Sequence, residues 1–288
     1  MKSKFSEIKL EDENYPFLLK ESPNPPFSFN LLGSMPDENK IRIAVVGTRR
    51  ATGAGKFLAR EISEKLAEAG IVVVSGLAMG IDTAAHEGAL FGGGETIAVL
   101  GCGIDIVYPA QNRGLAEKII NGNGAVISEY GPGVSPFPNQ FLERNRIVAG
   151  LSAATIVIEA PRNSGALVTA RLAAEAGREV FVFPGPRNNS NYEGSHKLIR
   201  DGARLVSSFA DIMEDLGFDN SELKLKKTKS VKDKNQLLIV QAIRDAGEPL
   251  DIDKICSATK LEPQTINQNA ALLVIEGIIN ESGGKYNI

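Results

Sequence analysis

Three cations stand beside two glycine-bearing turns near residue 50: Gly47-Thr48-Arg49-Arg50, then Gly53-Ala54-Gly55-Lys56. Glycine lets backbone N–H groups approach an anion closely, a helix opening at the second turn presents the positive end of its dipole, and Arg49, Arg50 and Lys56 add full charges. The implied chemistry is phosphate binding. A turn that only packs is the alternative, but it has no use for three cations. Neither standard nucleotide loop fits: a Walker loop needs Gly at Arg50 and Ser or Thr at Phe57, and a dinucleotide fingerprint counted from Gly53 needs Gly or Ala at Leu58. ATP and NAD binding lose support, and no cofactor is expected.

Further turns of the same kind recur. The run SGLAMGID at 75–82 ends one apolar segment and feeds another helical one, so Gly76 is expected on the same cleft as Gly47, with Asp82 as a helix cap. Gly101-Cys102-Gly103 reads as a tight turn. In FLERNRI at 141–147, Arg144 lies three residues and Arg146 five residues after Phe141. One ring and at least one guanidinium can therefore share a helix side, where aromatic planes stack on bases and guanidinium forks grip phosphate. A core Phe flanked by surface arginines is the plainer reading. Asn163-Ser164-Gly165 opens one more helix, with Ser164 as its cap and Arg162 beside it. Ser164 is not expected to be a nucleophile, because His86 and His196 lie in unrelated segments. Glu129 and Glu159 resemble an acid/base pair, but carboxylates ending strands beside arginines are usually salt-bridge partners.

The elements that must position these turns follow a βαβ rhythm. Apolar runs at 41–46, 71–75, 96–100, 125–128, 155–159 and 179–183 alternate with helical patterns at 54–69, 81–89, 113–121, 140–151, 166–176 and 194–200. Such alternation predicts an α/β fold with a buried parallel sheet whose carboxyl-end loops form the ligand crevice. Residues 1–40 are expected as an N-terminal extension, 41–219 as the main domain and 220–234 as a linker, since six of the eleven residues from 224 to 234 are Lys. A Lys-rich tether also suits a nucleic-acid tail. Beyond it, helical patterns at 236–245, 251–257 and 263–276 precede two β-like pieces at 278–286, which predicts a small winged-helix-like domain over 235–288.

Composition closes off other classes. With 288 residues, 43% of them hydrophobic, the chain is long enough for a large domain and a small one, and a mainly disordered state is excluded. No stretch approaches the roughly 18 apolar residues of a membrane span, and the start has no apolar signal region, so a cytoplasmic location is expected. Cys102 and Cys256 are the only cysteines and lie far apart, which provides neither a disulfide framework nor a zinc site. Thirty-two basic against 35 acidic residues leave a net charge of −3, so an anionic polymer would have to be held by a local patch.

Taken in order, VGTR at 46–49, SGLAMGID at 75–82, AVLGCGID at 98–105 with YPAQN at 108–112, FLERNRI at 141–147, SGALVT at 164–169 and VFPG at 182–185 resemble the bacterial DprA/Smf family of DNA-processing proteins. The likeness runs from about Tyr15 to Asp215, and six ordered motifs are far more specific than one glycine loop. It implies an extended Rossmann-like fold and a homodimer that binds single-stranded DNA without sequence preference. It also implies loading of a RecA-type recombinase in natural transformation, and no established enzymatic activity. Carried over by residue, the family's site falls on Gly47, Thr48, Arg49, Phe141, Arg144, Asn145 and Arg146. The cleft argument adds Gly76, Ser164 and Gly165. The run 133–140 lacks the basic residue often found ahead of the Phe, which leaves Arg50, Lys56 or Lys197 to supply that charge.

The competing expectation is an enzyme on a related scaffold, a nucleotide N-glycosidase or phosphoribohydrolase using Glu159 or Glu129. Its Gly-Gly-x-Gly-Thr loop is absent, and Asn163-Ser164-Gly165 stands in the approximate place. In the C-terminal segment, 235–288 carries four basic against seven acidic residues and 263–276 has no Lys or Arg, so duplex binding by that unit is not expected.

Overall fold

The structure, a computed structural model, describes residues 5–218, 233–275 and 278–287. In chain order the first part runs β1 (Ser6–Lys9), α1 (Phe17–Lys20), β2 (Ser28–Gly33), β3 (Arg42–Val46), α2 (Gly53–Glu68), β4 (Val72–Ser75), α3 (Ile81–Phe91) and β5 (Thr96–Leu100). It continues through α4 (Arg113–Asn121), β6 (Ala125–Ser128), α5 (Pro138–Gly150), β7 (Ala154–Val157), α6 (Gly165–Glu175), β8 (Glu179–Val182), α7 (Glu193–Arg200), β9 (Arg204–Leu205) and α8 (Phe209–Asp215). The chain forms two compact units, Met1–Lys226 and Lys227–Ile288.

Strand order in the first unit is β1-β2-β6-β5-β4-β3-β7-β8-β9. From β6 to β9 every pairing is parallel. All residues of β3 to β7 are buried, as a sheet covered on both faces requires. Alternate side chains serve opposite layers. Ile43, Val45 and Val73 cluster with Ile62 and Leu66 of α2 and Ile81 of α3, whereas Ala44, Val46 and Val74 cluster with Ile147 of α5 and Ala170 of α6. From β3 the chain builds β4, β5 and β6 on one side, then crosses back to build β7, β8 and β9 on the other. After β3 and β7 the chain leads to helices on opposite faces of the sheet, and at that switch a crevice opens at the carboxyl edge. This is the α/β architecture with a parallel sheet that the alternating pattern predicts, and the Rossmann-like fold that the resemblance implies.

The N-terminal forty residues depart from the expected extension. They supply β1 and β2, which continue the sheet antiparallel beside β6. Only Ile8 of β1 is buried, so this edge strand carries almost no apolar pattern. β9 escapes sequence reading for a similar reason, since both of its residues are exposed. No described helix is long and apolar enough to cross a membrane.

The second unit contains α9 (Lys234–Ala246), α10 (Ile252–Thr259), α11 (Pro263–Ile275) and a hairpin of β10 (Asn280–Ser282) and β11 (Lys285–Asn287). Asp233 caps α9 by accepting from the N–H groups of Asn235 and Gln236 at 2.8 and 3.1 Å, and Asp251 caps α10 through Lys254 N–H at 2.8 Å. Ile239, Ile243, Ile255, Ile266 and Leu273 form its core. Of the expected 220–234 linker, all but Asp233 and Lys234 lie outside the described residues.

Between α3 and β5 sits a fully buried imidazole. Thr96 donates its hydroxyl proton to the Val73 carbonyl at 2.6 Å, so its oxygen must accept from His86 Nδ1 at 2.7 Å. His86 is therefore the neutral Nδ1–H tautomer, and burial pushes its pKa down to about 3. Below an unfolded value of about 6.5 the denatured chain takes up a proton that the folded one refuses, so stability falls as pH drops toward 3. Between pH 7 and 5 this site should cost about 2 kcal/mol. Urea unfolding at both pH values should show a smaller acid loss for His86→Gln than for wild type; parallel losses would mean that the native imidazole takes up the same proton as the unfolded one across this window.

Candidate functional site

Three loops meet at the switch. Thr48 N–H donates to the Glu159 carbonyl at 2.7 Å, tying the loop after β3 to the loop after β7, and Ile81 N–H reaches the Thr48 carbonyl at 3.3 Å. Gly80 precedes α3 with φ +83°, and a Cβ there would stand 2.4 Å from the Thr48 oxygen. Only glycine fits that conformation and approach. Asp82 does not cap α3 from the N-cap position, which Gly80 occupies. Its buried carboxylate instead turns back to accept from Gly76 N–H at 3.1 Å and Ala78 N–H at 3.4 Å. Leu77 between them adopts φ +56°, and Asn112 Nδ2 holds its carbonyl at 2.8 Å.

Glu159 departs furthest from expectation. It is fully buried and has no arginine partner among the described residues. Its Oε2 accepts from Thr52 N–H and Asn191 Nδ2, both at 3.0 Å, and its Oε1 accepts from the Thr52 hydroxyl and from Tyr192 OH at 3.1 Å. Burial, with Glu159 beside it, raises the Tyr192 phenol to about 12, which keeps it a proton donor. Thr52 in turn caps α2 by accepting from Gly55 N–H at 3.0 Å. A Cβ on Gly55 would lie 2.4 Å from the Glu159 carboxylate. The start of α2, expected to hold an external anion, is therefore filled by an internal carboxyl group.

External space opens one turn outward as a cleft of about 520 Å³. Gly47, Thr48, Arg49, Arg50, Gly76, Phe141, Arg144, Asn145, Ser164 and Gly165 line it, so ten of the thirteen residues singled out in sequence converge. Arg49 and Arg50 are exposed, and the Arg49 guanidinium carbon sits 5.1 Å from the centre of the Phe141 ring, within cation–π range. Phe141 packs so closely on Gly101 that a Cβ there would stand 2.8 Å from the ring. Tyr108, 46% exposed, lies beside it with ring centroids 5.5 Å apart. Tyr108 received no role from sequence reading; an aromatic just past a strand end was the available signal. Ser164 caps α6 through Ala166 N–H at 3.2 Å, as expected, and Asn145 Nδ2 fastens that helix start through the Gly165 carbonyl at 3.1 Å.

The arginines of α5 do not act as spacing alone suggests. Arg144 is only 4% exposed; its guanidinium donates to the Val99 carbonyl and fills the space that a Gly76 side chain would need. Burial lowers its pKa and raises that of Asp82, and each charge partly offsets the other's shift. Arg144 thus works mainly as a strut beneath the cleft. Arg146 faces away and pairs with Glu129 at 2.6 Å, which makes Glu129 the salt-bridge partner expected of it. Lys56 is exposed on α2 but does not line the cleft, because Glu159 stands between that helix start and the opening. Lys197 is likewise outside it, paired with Asp201 one turn along α7.

The sequence profile of the family described as DNA recombination-mediator protein A matches residues 6–217. The protein called Smf from Synechocystis is 43% identical over 212 residues; the match covers 72% of this chain and 53% of that one, so the chain spans about half the length of this relative. The X-ray structure of DNA processing protein A (DprA) from Streptococcus pneumoniae superposes with a TM-score of 0.68 at 40% identity, covering 75% of each chain. A second solved structure, of DNA processing protein A from Helicobacter pylori and concerned with its single-stranded DNA binding mode, has a TM-score of 0.65 at 32% identity, covering 74% of this chain and 95% of that one.

Because a Gly80 side chain would strike the Thr48 backbone, Gly80→Ala should lower stability by about 1–3 kcal/mol and disturb both loops at once. Urea unfolding checks it; an unchanged midpoint would show that the two loops are not locked together.

Proposed function

We propose, from the premise that the chain belongs to the DNA recombination-mediator protein A family, that its cleft binds single-stranded DNA without regard to sequence. The observation that carries this reading is the Arg49 guanidinium 5.1 Å from the Phe141 ring at the mouth of the cleft. A plane for a base and a cation for its phosphate thus share one rim, with the start of α6 opposite. Duplex bases are stacked and paired, so their faces cannot reach such a ring without being splayed out. Protection of the strand and loading of a RecA-type recombinase follow in this reading, with a homodimer as the cytoplasmic working form, and the protein is a mediator and not an enzyme. Glu159 gives the glycosidase alternative no support, because four hydrogen bonds engage its carboxyl group beneath the loops and it does not line the cleft.

Fluorescence titration with single- and double-stranded oligonucleotides across a salt series is the direct test. Single strands should bind more tightly, with log affinity falling by roughly 0.7 per phosphate contact for each tenfold rise in salt. Equal affinity for duplex, or a flat salt response, counts against the reading. Phe141→Ala should weaken binding by about 1–3 kcal/mol, and Arg49→Gln should weaken it alike for every sequence.

The second unit stands outside this site in the proposal. α11 has no basic residue in its last turn and no Lys or Arg in its sequence, unlike helices that enter a groove. Deleting 235–288 while keeping the lysine run should leave single-strand affinity within about threefold, or 0.7 kcal/mol. A larger loss in the same titration would assign the unit a share of the binding surface.

A further inference from the structure

Charge is sorted along the carboxyl edge of the sheet. Following β6 and β5 come the acids Glu129 and Asp105, with Glu143 hydrogen-bonded to Tyr130 nearby. Following β3, β7 and β8, which are neighbours in the sheet, come Arg49 and Arg50, then Arg162, then Arg187. All four are exposed, and among the described residues Arg50, Arg162 and Arg187 form no ion pair. Exposed arginines on this unit are otherwise often paired, as Arg204 is with both Glu179 and Asp215.

The loops that carry these cations are fastened to one another. Asn191 Nδ2, beyond β8, donates at 3.0 Å both to the Arg50 carbonyl and to Glu159. The N–H groups of Gly194 and Ser195 reach the Ala160 carbonyl at 2.8 and 3.1 Å, and Ala160 N–H returns to the Ser195 hydroxyl at 3.1 Å. Gly185 lies flat against the Tyr192 ring, where a Cβ would come within 2.2 Å. Three cation-bearing loops thus share one hydrogen-bonded support, and among the described residues no acid pairs with Arg50, Arg162 or Arg187.

We infer that Arg162 and Arg187 form a second phosphate subsite, extending the strand's path from the Phe141 cleft across β7 to β8. This rests on the single-strand reading of the cleft and adds a direction to it. Aromatics and acids occupy the β5 side, so bases dock there and the backbone leaves toward β8, away from like charge. Two inter-strand steps of about 4.8 Å separate the first and last loops, roughly 10 Å or three nucleotides of stacked strand. Exposed guanidinium groups at that spacing grip successive phosphates without reading bases.

The test uses the full chain with Arg162→Gln and Arg187→Gln combined, titrated with a labelled thymidine oligonucleotide across a decade of salt. Loss of two phosphate contacts should reduce the salt slope by about 1.4 and weaken binding about 25-fold at 0.1 M salt. Lys118→Gln, an exposed cation on α4, is the control for loss of a single surface charge elsewhere and should change neither. A double variant whose slope equals wild type would overturn the second subsite while leaving the cleft reading intact. Failure of the wild-type chain to bind single strands would overturn both. Thermal unfolding of the double variant should match wild type, because neither side chain forms an ion pair among the described residues.

Discussion

A carboxyl group sealed from water is tolerable only where hydrogen-bond donors surround it, and Glu159 obtains four of them from Thr52, Asn191 and Tyr192. Those donors stand on the segments after β3 and β8, while Glu159 itself follows β7. One buried group therefore draws three loops into register. It dictates further details: Gly55 can carry no side chain, Thr52 must both cap α2 and donate to Glu159, and Asn191 spans to the Arg50 carbonyl. The dipole of α2 is spent on this internal partner. External anions are left to Arg49, Arg50 and the start of α6, one layer outward.

A second buried arrangement supports the aromatic side of the cleft. Arg144 lies under Gly76 with its guanidinium on the Val99 carbonyl, and Asp82 gathers the N–H groups of Gly76 and Ala78. Asp82 and Arg144 are desolvated together, and each lessens the other's electrostatic cost. The consequence is mechanical, since the Leu77 turn and the space beneath Gly76 are set by buried groups. Two arginines divide burial and exposure between them: Arg144 supports the turn from below, and Arg49 is exposed at the mouth of the cleft against the Phe141 ring.

The family profile ends at residue 217, so the second unit lies beyond it, with its own core, and residues 235–288 carry four basic against seven acidic residues. Glycine loops at a sheet's carboxyl edge suit many phosphates, and what distinguishes this edge is the ring beside Arg49 and the occupied start of α2.

Alternation of apolar and helical runs was enough, by itself, to determine the parallel sheet, because strands buried on both faces must be apolar throughout and helices between them must be amphipathic. It also placed glycine turns at strand ends, hence a crevice lined by Gly47, Gly76 and Gly165. Edge strands were invisible: β1 buries only Ile8 and β9 buries nothing, so neither leaves a pattern. Local sequence could not sort the charges either. Arg49, Arg144 and Arg146 are the same residue type beside the same Phe141, yet one is exposed, one is buried under Gly76 and one is paired with Glu129. Those fates depend on what distant segments bring within a few ångströms, as does the capture of Glu159 by Asn191, 32 residues away. Chain order determines periodicity, whereas partnership between charges is settled only when the sheet has brought its loops together.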